Sequence, residues 1–341
     1  MTNLEAVPSE VVCAGETTAA QVLAPRDVPL GGLRAMTVRR TLPQRDRSLI
    51  GAWCFADHYG PDDVAVTGGM AVAPHPHTGL QTVSWLFSGE IEHRDSLGSH
   101  AVVRPGELNL MTAGRGIAHS EVSTPATTVL HGVQLWTALP AAAVDAPPAF
   151  EHHIPPVVEL PAPGDGVARD GGAGAATPAR LRVFLGSLAG STSPVRTFSP
   201  LLGAELVLPP DGQVELELDP AFEHGYLVDQ GPVAVDGTTV APGELAYLPP
   251  GGTRVHLAAP EGGPARLLVL GGAPLGEQVV MWWNFLGRSH DDVVAARAAW
   301  QAEVTGSLGR HAAARFGPVP GDVVDPLPAP ELPRVKLLPR G

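Results

Sequence analysis

The chain of 341 residues contains few cysteines and no long apolar stretch. Its two cysteines, Cys13 and Cys54, are too few for a disulfide framework, which is typical of a reducing compartment. The first residues, Met1–Val7, carry neither the basic nor the apolar region of a secretory signal. No apolar run reaches the roughly 18 residues that a transmembrane helix needs. The sequence therefore predicts a cytoplasmic protein that does not bind membranes.

Positive charge is also scarce. Lys and Arg together number 22 against 35 Asp and Glu, which gives a formal charge of −13. Phosphate backbones need a basic face, so we expect no direct binding of nucleic acid. Glycine (40) and proline (36) are abundant by contrast, and they predict many turns and short connections. This composition favours β architecture, and the length allows two domains.

Short apolar or alternating runs separated by Gly and Pro fill two stretches of the chain. Gln81–Phe87 lies in the first stretch and Val214–Leu218 in the second, and such runs predict strands of barrels. After the second stretch, Ser289 is a good N-cap ahead of acidic residues and helix formers. We predict a flexible lead-in at 1–30, a first barrel at 31–140, a Pro/Ala/Gly-rich linker at 141–180, a second barrel at 181–275, and a C-terminal segment at 276–341 that has a helix at about 289–303 and an extended or frayed end from 317.

A short internal repeat connects the two stretches. Pro105-Gly-Glu-Leu108 recurs as Pro242-Gly-Glu-Leu245, and a histidine follows each proline after fourteen residues, His119 in one copy and His256 in the other. A four-residue match alone can arise by chance, but the matched histidines favour duplication. The repeat predicts two copies of one β unit in tandem.

Two pairs of potential metal ligands lie in the first stretch. One residue separates His75 from His77, and one separates His119 from Glu121. Side chains at positions i and i+2 of a strand point to the same face, and Pro76 is tolerated at a sheet edge or strand start. On facing strands, the two pairs would surround one point with three imidazoles and a carboxylate. That set suits a first-row divalent metal and leaves positions for water, O2 or substrate.

The repeat provides an internal control for this site. The second copy keeps only one of the three imidazoles, and its acidic residues are expected on a solvated strand face. We therefore expect one metal site, in the first barrel. The matched positions are His119 with His256 and Glu121 with Ala258 through the Pro-Gly-Glu-Leu turn, and His75 and His77 with Glu217 and Asp219 through Gly89 and Gly231.

Several other residues have expected positions. His58 is expected to form a buried hydrogen-bonded pair with Asp57, and Cys54 to be a buried apolar residue. Arg115 either orients Glu121 or caps a turn, and both alternatives are open. Four further histidines are expected at the surface: His93, His100, His152 and His153.

The sequence resembles the pirin family of bicupins, strongly over residues 30–140 and more weakly over 180–275. The resemblance implies an all-β fold of two tandem cupin barrels of the jelly-roll type, with a short C-terminal helix. It also implies that His75, His77, His119 and Glu121 bind one metal, usually iron, and that the second cupin is metal-free. The matching segments are Gly51–Pro61, Pro74–Gly79, Pro105–Leu108, Met111–Glu121, Gly132–Trp136 and Trp282–Phe285.

The family resemblance implies two alternative functions. The first is a metal-dependent, quercetin 2,3-dioxygenase-like enzyme that opens a small aromatic flavonol or a related enediol or catechol-like compound, with Glu121 as catalytic base. The alternative is a non-catalytic, redox- or metal-responsive regulator that binds a protein partner. A storage or vestigial cupin with neither role is a third hypothesis, which does not come from the resemblance. Fe(II) is the expected metal, with Mn, Ni, Cu and Zn as alternatives because mixed N/O sites accept most first-row ions.

Overall fold

The computed structural model describes residues 20–29, 37–161, 177–307 and 313–341, and these residues form an almost entirely β structure. The strands of the first half are β1 (Gln21–Leu23), β2 (Arg26–Pro29), β3 (Thr37–Leu42), β4 (Trp53–Asp63), β5 (Ala71–His77), β6 (Leu80–Ser88), β7 (Ile91–Asp95), β8 (His100–Val103), β9 (Leu108–Thr112), β10 (Ile117–Ser123), β11 (Val129–Ala138) and β12 (Ala149–His153).

The second half continues the same kind of structure. Its strands are β13 (Val158–Leu160), β14 (Ala179–Leu185), β15 (Ser187–Leu188), β16 (Ser191–Thr192), β17 (Leu201–Leu208), β18 (Gln213–Glu217), β19 (Glu223–Gln230), β20 (Val233–Val235), β21 (Thr238–Val240), β22 (Leu245–Leu248), β23 (Arg254–Ala258), β24 (Ala265–Gly272), β25 (Val280–Trp282) and β26 (Phe285–Gly287). The helices are α1 (Val64–Thr67) and α2 (His290–Val304), with a 3-10 turn at Ala141–Ala143.

Each half builds a barrel from a seven-stranded and a four-stranded sheet. The first barrel has the orders β12-β9-β6-β11-β4-β3-β2 and β5-β10-β7-β8, and the second has β1-β22-β19-β24-β17-β14-β13 and β18-β23-β20-β21. The Pro-Gly-Glu-Leu turn leads into β9 in one barrel and into β22 in the other. The predicted duplication is therefore visible as two sheets of matching order in each half.

Each barrel gains an outer strand from a segment that the sequence analysis placed outside it. β1 belongs to the predicted lead-in but pairs with β22 of the second barrel, while β12 belongs to the predicted linker but pairs with β9 of the first. β13, also within the predicted linker, pairs with β14. The lead-in and linker thus contain strands in their described parts, because edge strands gain backbone hydrogen bonds that loops lack. The remaining lead-in and linker residues, 1–19, 30 and 162–176, lie outside the described residues.

An apolar core joins the two barrels. The indole Nε1 of Trp53 donates to the carbonyls of Leu202 at 3.0 Å and Gly271 at 3.2 Å, and the ring of Trp85 lies 4.6 Å from that of Phe184. All three aromatic side chains are fully buried. The barrels are thus packed against each other through large rings from both halves.

The predicted C-terminal helix is present as α2, and its end packs back onto the first barrel. Ser289 is its N-cap and forms a capping box with Asp292, while Trp300 is buried. The segment after residue 313 is extended, as predicted, but not frayed: Leu327 donates its N–H to the Pro74 carbonyl at 2.8 Å and accepts from Trp300 Nε1 at 2.8 Å. Within the described ranges, neither helix is long and apolar enough to cross a membrane.

Candidate metal centre

β5 carries the first pair of predicted ligands. His75 and His77 are both buried, and β5 is the edge strand of its four-stranded sheet. An edge strand tolerates Pro76 because one side of its backbone needs no ladder hydrogen bond. The two imidazoles therefore lie on one strand, with the i, i+2 spacing that the sequence predicts.

β10 carries the second pair, but it lies beside β5 rather than facing it. His119 is directly opposite His75 in the antiparallel ladder, and a register shift between His119 and Glu121 interrupts the pairing. The ring centroids are 4.3 Å apart for His75 and His119, 4.9 Å for His77 and His119, and 5.0 Å for His75 and His77. Neighbouring strands of one sheet, not facing strands, thus bring the three imidazoles together.

The three imidazoles are held in the neutral form that binds metals. Burial lowers the pKa of His75 to about 4, although a hydrogen bond from its Nδ1 to the Ala73 carbonyl at 2.9 Å acts in the opposite direction. Burial, with the other histidines of the group, also holds the pKa values of His77 and His119 well below the usual value. The Nε2 atom of His119 is buried without a hydrogen-bond partner. An orphaned imidazole nitrogen among neutral imidazoles fits a divalent transition metal.

Behind His119 lies a pair, His93 and Asp95, of which His93 was expected at the surface. His93 is only 3% exposed, and its Nδ1 lies 3.4 Å from Nδ1 of His119. Its Nε2 lies 3.3 Å from Asp95 Oδ2. Burial acts to raise the pKa of Asp95, but hydrogen bonds from His93 and Ser99 hold it below its usual value. The chain of contacts can therefore fix the His119 tautomer that presents Nε2 to a metal.

The prediction that His93 is exposed is wrong because β7 alternates strictly. Ile91, His93 and Asp95 are buried, and the residues between them are half-buried. That i, i+2, i+4 pattern is the sequence signal that could have found the pair. His100 is exposed as expected, as is His152, whereas His153 is half-buried.

Glu121 occupies a different place from the three histidines. Its carboxylate lies within 4.8 Å of nitrogens from His93 and His119, in a group separate from the one that His75, His77 and His119 form. Ser84 donates its hydroxyl to Glu121 Oε1 at 3.1 Å. Burial raises the pKa of Glu121, while the Coulombic effect of His93 and the Ser84 bond act against that rise. The carboxylate shares His119 with the imidazole group, and its role as a ligand stays a prediction.

A cavity of about 500 Å³ opens onto this group. The rings of Phe55 and Trp136 in its wall are stacked 3.9 Å apart, and the Trp136 ring meets His77 edge-on at 5.1 Å. The hydroxyl of Tyr59 is buried without a hydrogen-bond partner in the described structure. The C-terminal segment completes the wall with Leu327, Pro328 and Pro330. The sequence alone does not predict that this segment takes part in the site.

Two expected positions near the cavity are corrected. Asp57 does not pair with His58: it accepts two hydrogen bonds from Arg40, both at 2.7 Å, and this pair lines the cavity. Arg115 is exposed whereas Glu121 is buried, and the Arg115 carbonyl accepts from Arg315 Nε at 2.7 Å. That position fits the turn rather than a contact with Glu121. Cys54 is buried as expected, and burial raises the pKa of its thiol to about 12.

The second barrel has a different interior. His256 stands opposite Glu215, so strand pairing matches His75 with Glu215, two residues before the position that the repeat predicts. His256 also lies on the outside, because its neighbours Val255 and Leu257 are buried in the apolar core. Within the described residues, no metal-binding group consists of second-barrel residues alone. The retained imidazole is therefore not a remnant of a site.

Comparisons with known proteins agree with the two barrels. Residues 35–137 match the model of the Pirin family, and residues 203–306 match that of the Pirin C-terminal cupin domain. A Pseudomonas aeruginosa protein named "Putative quercetin 2,3-dioxygenase" is 46% identical over 277 residues, which are 81% of this chain and 82% of that protein. A "Pirin-like protein" of Caulobacter vibrioides is 36% identical over 272 residues, 78% of this chain and 88% of its own.

Among solved structures, a quercetin 2,3-dioxygenase from Acinetobacter baumannii superimposes with a TM-score of 0.80 at 36% identity. The match covers 93% of this chain and 96% of that one. The duplicated sheets, the buried imidazole group in the first barrel and these matches lead to one conclusion. The chain belongs to the pirin family and is a bicupin.

Proposed function

We propose that the chain is a mononuclear metal-dependent dioxygenase that acts on quercetin-like flavonols or related enediol or catechol-like compounds. One observation carries the proposal: three neutral imidazoles and a buried carboxylate line one cavity of about 500 Å³. That volume lies in the range of about 300–1,000 Å³ that is usual for small-molecule sites. The names of the Pseudomonas and Acinetobacter relatives support the same substrate class. We also infer a cytoplasmic location, which cell fractionation tests.

The metal would be held by His75, His77 and His119, with Glu121 as the proposed fourth ligand and iron(II) as the proposed ion. A bound divalent metal supplies Lewis acidity toward a substrate hydroxyl and a template for substrate and O2. His93 and Asp95 hold the orientation of His119 from behind. One ring nitrogen from each of the three imidazoles lies within 4.8 Å of the other two.

Glu121 has the properties of a general base in this site. Burial raises its pKa, so the carboxylate holds a proton more tightly than an exposed one would. A base of this kind can take the proton of a substrate hydroxyl as the hydroxyl becomes an enolate oxygen. Ser84 holds one carboxylate oxygen at 3.1 Å, and the other oxygen would serve in turn as the metal ligand and, once released, as the base.

The cavity wall favours a flat, neutral aromatic compound. Phe55 and Trp136, whose rings are stacked, contribute apolar side chains to the cavity wall, and such a wall suits an aromatic compound. Arg40 is paired with Asp57, so its charge is already neutralised.

The direct test is an anaerobic titration with quercetin followed by exposure to O2. Separate preparations are loaded with iron, manganese, nickel or copper, and the loss of quercetin absorbance is followed. We expect turnover in at least one loaded form and a spectral shift of quercetin on binding before O2 is added. Absence of quercetin loss in all four forms would overturn the proposal.

Glu121→Gln removes the proposed base and keeps a side chain of nearly the same shape. General-base catalysis contributes typically ~10²–10⁴-fold, so we expect a decrease of that size in kcat, with quercetin binding retained. Glu261→Gln is the matched control, because Glu261 is exposed in the second barrel. Equal activity of the two variants would remove Glu121 from the proposed chemistry.

A further inference from the structure

A second group of potential metal ligands lies between the two barrels. His58 on β4 and His131 on β11 come from the first barrel, and Asp229 on β19 comes from the second. Oδ1 of Asp229 lies 2.6 Å from His58 Nε2 and 2.7 Å from His131 Nε2, and the two nitrogens are 3.2 Å apart. The three side chains are buried or nearly so. The dioxygenase proposal gives this group no role.

The triangle of donor atoms has the shape of one face of a coordination octahedron. Ligand atoms about 2.1 Å from an ion in octahedral geometry lie about 3.0 Å from one another. The three edges of 2.6, 2.7 and 3.2 Å are all near that length. Two imidazoles and one carboxylate on a single face form a facial triad, which leaves the opposite face for water or other ligands.

The surroundings hold the three donors in place. Arg266 binds the second carboxylate oxygen, Oδ2, with Nη2 and Nε, both at 2.6 Å, and leaves Oδ1 to the imidazoles. The rings of His58 and His131 are parallel within 6°, with centroids 5.4 Å apart, and Phe87 packs edge-on against both. An outer partner on the carboxylate and a packed apolar side are features of built metal sites.

Two features of the surroundings limit the affinity of this group for a metal ion. The guanidinium of Arg266 repels a cation, and His58 Nδ1 is buried without a hydrogen-bond partner. A ligating imidazole normally donates a proton from its second nitrogen, so His58 lacks that support. We therefore expect weaker binding here than at the three-histidine group.

We propose that His58, His131 and Asp229 form a second site for a divalent transition metal that accepts octahedral coordination, at the interface of the barrels, with Zn²⁺ and Co²⁺ as probes. Because its ligands come from both halves, an ion bound there stabilises the contact between them. It binds the folded chain in preference to the unfolded one, so it raises the melting temperature.

The test uses the full chain with both first-barrel groups disabled, as His77→Ala/His119→Ala, because His119 belongs to both groups. Equilibrium dialysis against Zn²⁺ with metal analysis gives the stoichiometry, and Co²⁺ gives a visible d–d spectrum. We expect about one ion per chain, with a zinc-dependent rise in melting temperature. Adding His131→Ala or Asp229→Asn should remove both signals, and adding His100→Ala, an exposed histidine, should change neither.

The proposal is overturned if the double variant, folded by circular dichroism, binds no ion. Binding that survives both His131→Ala and Asp229→Asn also overturns it. Should the double variant fail to fold, the wild-type chain decides: two ions per chain that fall to one in His131→Ala support the site, and an unchanged number refutes it. None of these results depends on activity toward quercetin.

Discussion

The two barrels have matching strand orders and opposite interiors. Strands β5 and β10 of the first carry buried imidazoles and a buried carboxylate, while the matching strands β18 and β23 of the second bury Val and Leu. Burying polar groups is unfavourable unless they are hydrogen-bonded or bind a metal. The second barrel, free of that requirement, has an apolar core. The difference indicates that the ligands of the candidate metal centre are confined to the first copy, while the second has an apolar core.

The strongest test of this difference between the barrels removes one histidine from each of them. His77→Ala should lower the metal content by about one ion per chain, because it leaves two imidazoles where three converge. His256→Ala should leave the content unchanged, since His256 lies on the outside of the core. Metal analysis after dialysis measures both, and equal losses in the two variants would contradict the assignment.

A substitution in the core of the second barrel should lower the stability of the chain without lowering its metal content. Leu267 is fully buried in its core, so Leu267→Ala should lower the free energy of unfolding by about 2–5 kcal/mol. Urea unfolding measures this, and Val122→Ala, at a more exposed position, is the control. A folded Leu267→Ala chain that had lost its metal would show that the barrels are not divided in this way.

Disturbing the His93–Asp95 pair behind His119 should have an intermediate effect on metal affinity. Asp95→Asn places an amide opposite His93 Nε2 and should disturb the tautomer that the pair maintains. Changes to such outer partners typically lower metal affinity by ~10–100-fold. A chelator competition titration measures the change, with Glu261→Gln as the control. Unaltered affinity would mean that His119 is oriented by packing alone.

The buried imidazoles also predict a pH dependence of the metal-free chain. Burial places the pKa of His75 at about 4, below its usual 6.5, so between these values the unfolded chain binds a proton that the folded chain does not. The free energy of unfolding should thus fall as pH drops from 6.5 to 4, by up to about 1.4 kcal/mol per pH unit for each such histidine.

A buried histidine of the second barrel provides the control for this prediction. His224 of the second barrel is also buried, with its pKa lowered by burial to about 4. His75→Gln and His224→Gln should therefore each make the slope shallower by about the same amount. Urea titrations at several pH values test this, and an unchanged slope in His75→Gln would refute the neutral state of the group.

Local sequence determined a large part of this molecule. The i, i+2 spacing of His75 and His77 places both on one face of a strand whatever surrounds it, and the capping residues at Ser289 start α2. The Pro-Gly-Glu-Leu repeat correctly predicts two copies of one unit. These features depend on backbone periodicity and short-range hydrogen bonds, so they can be read without knowing the fold.

Only the tertiary structure decided which faces are inside and which distant segments meet. His119 and His256 have the same spacing from their repeats, yet a change of strand face puts one in a buried site and the other outside. The burial of His93, the place of Leu327 in the cavity wall and the meeting of His58 with Asp229 all depend on contacts between remote strands. Such contacts follow from packing across the whole chain, which local periodicity does not encode.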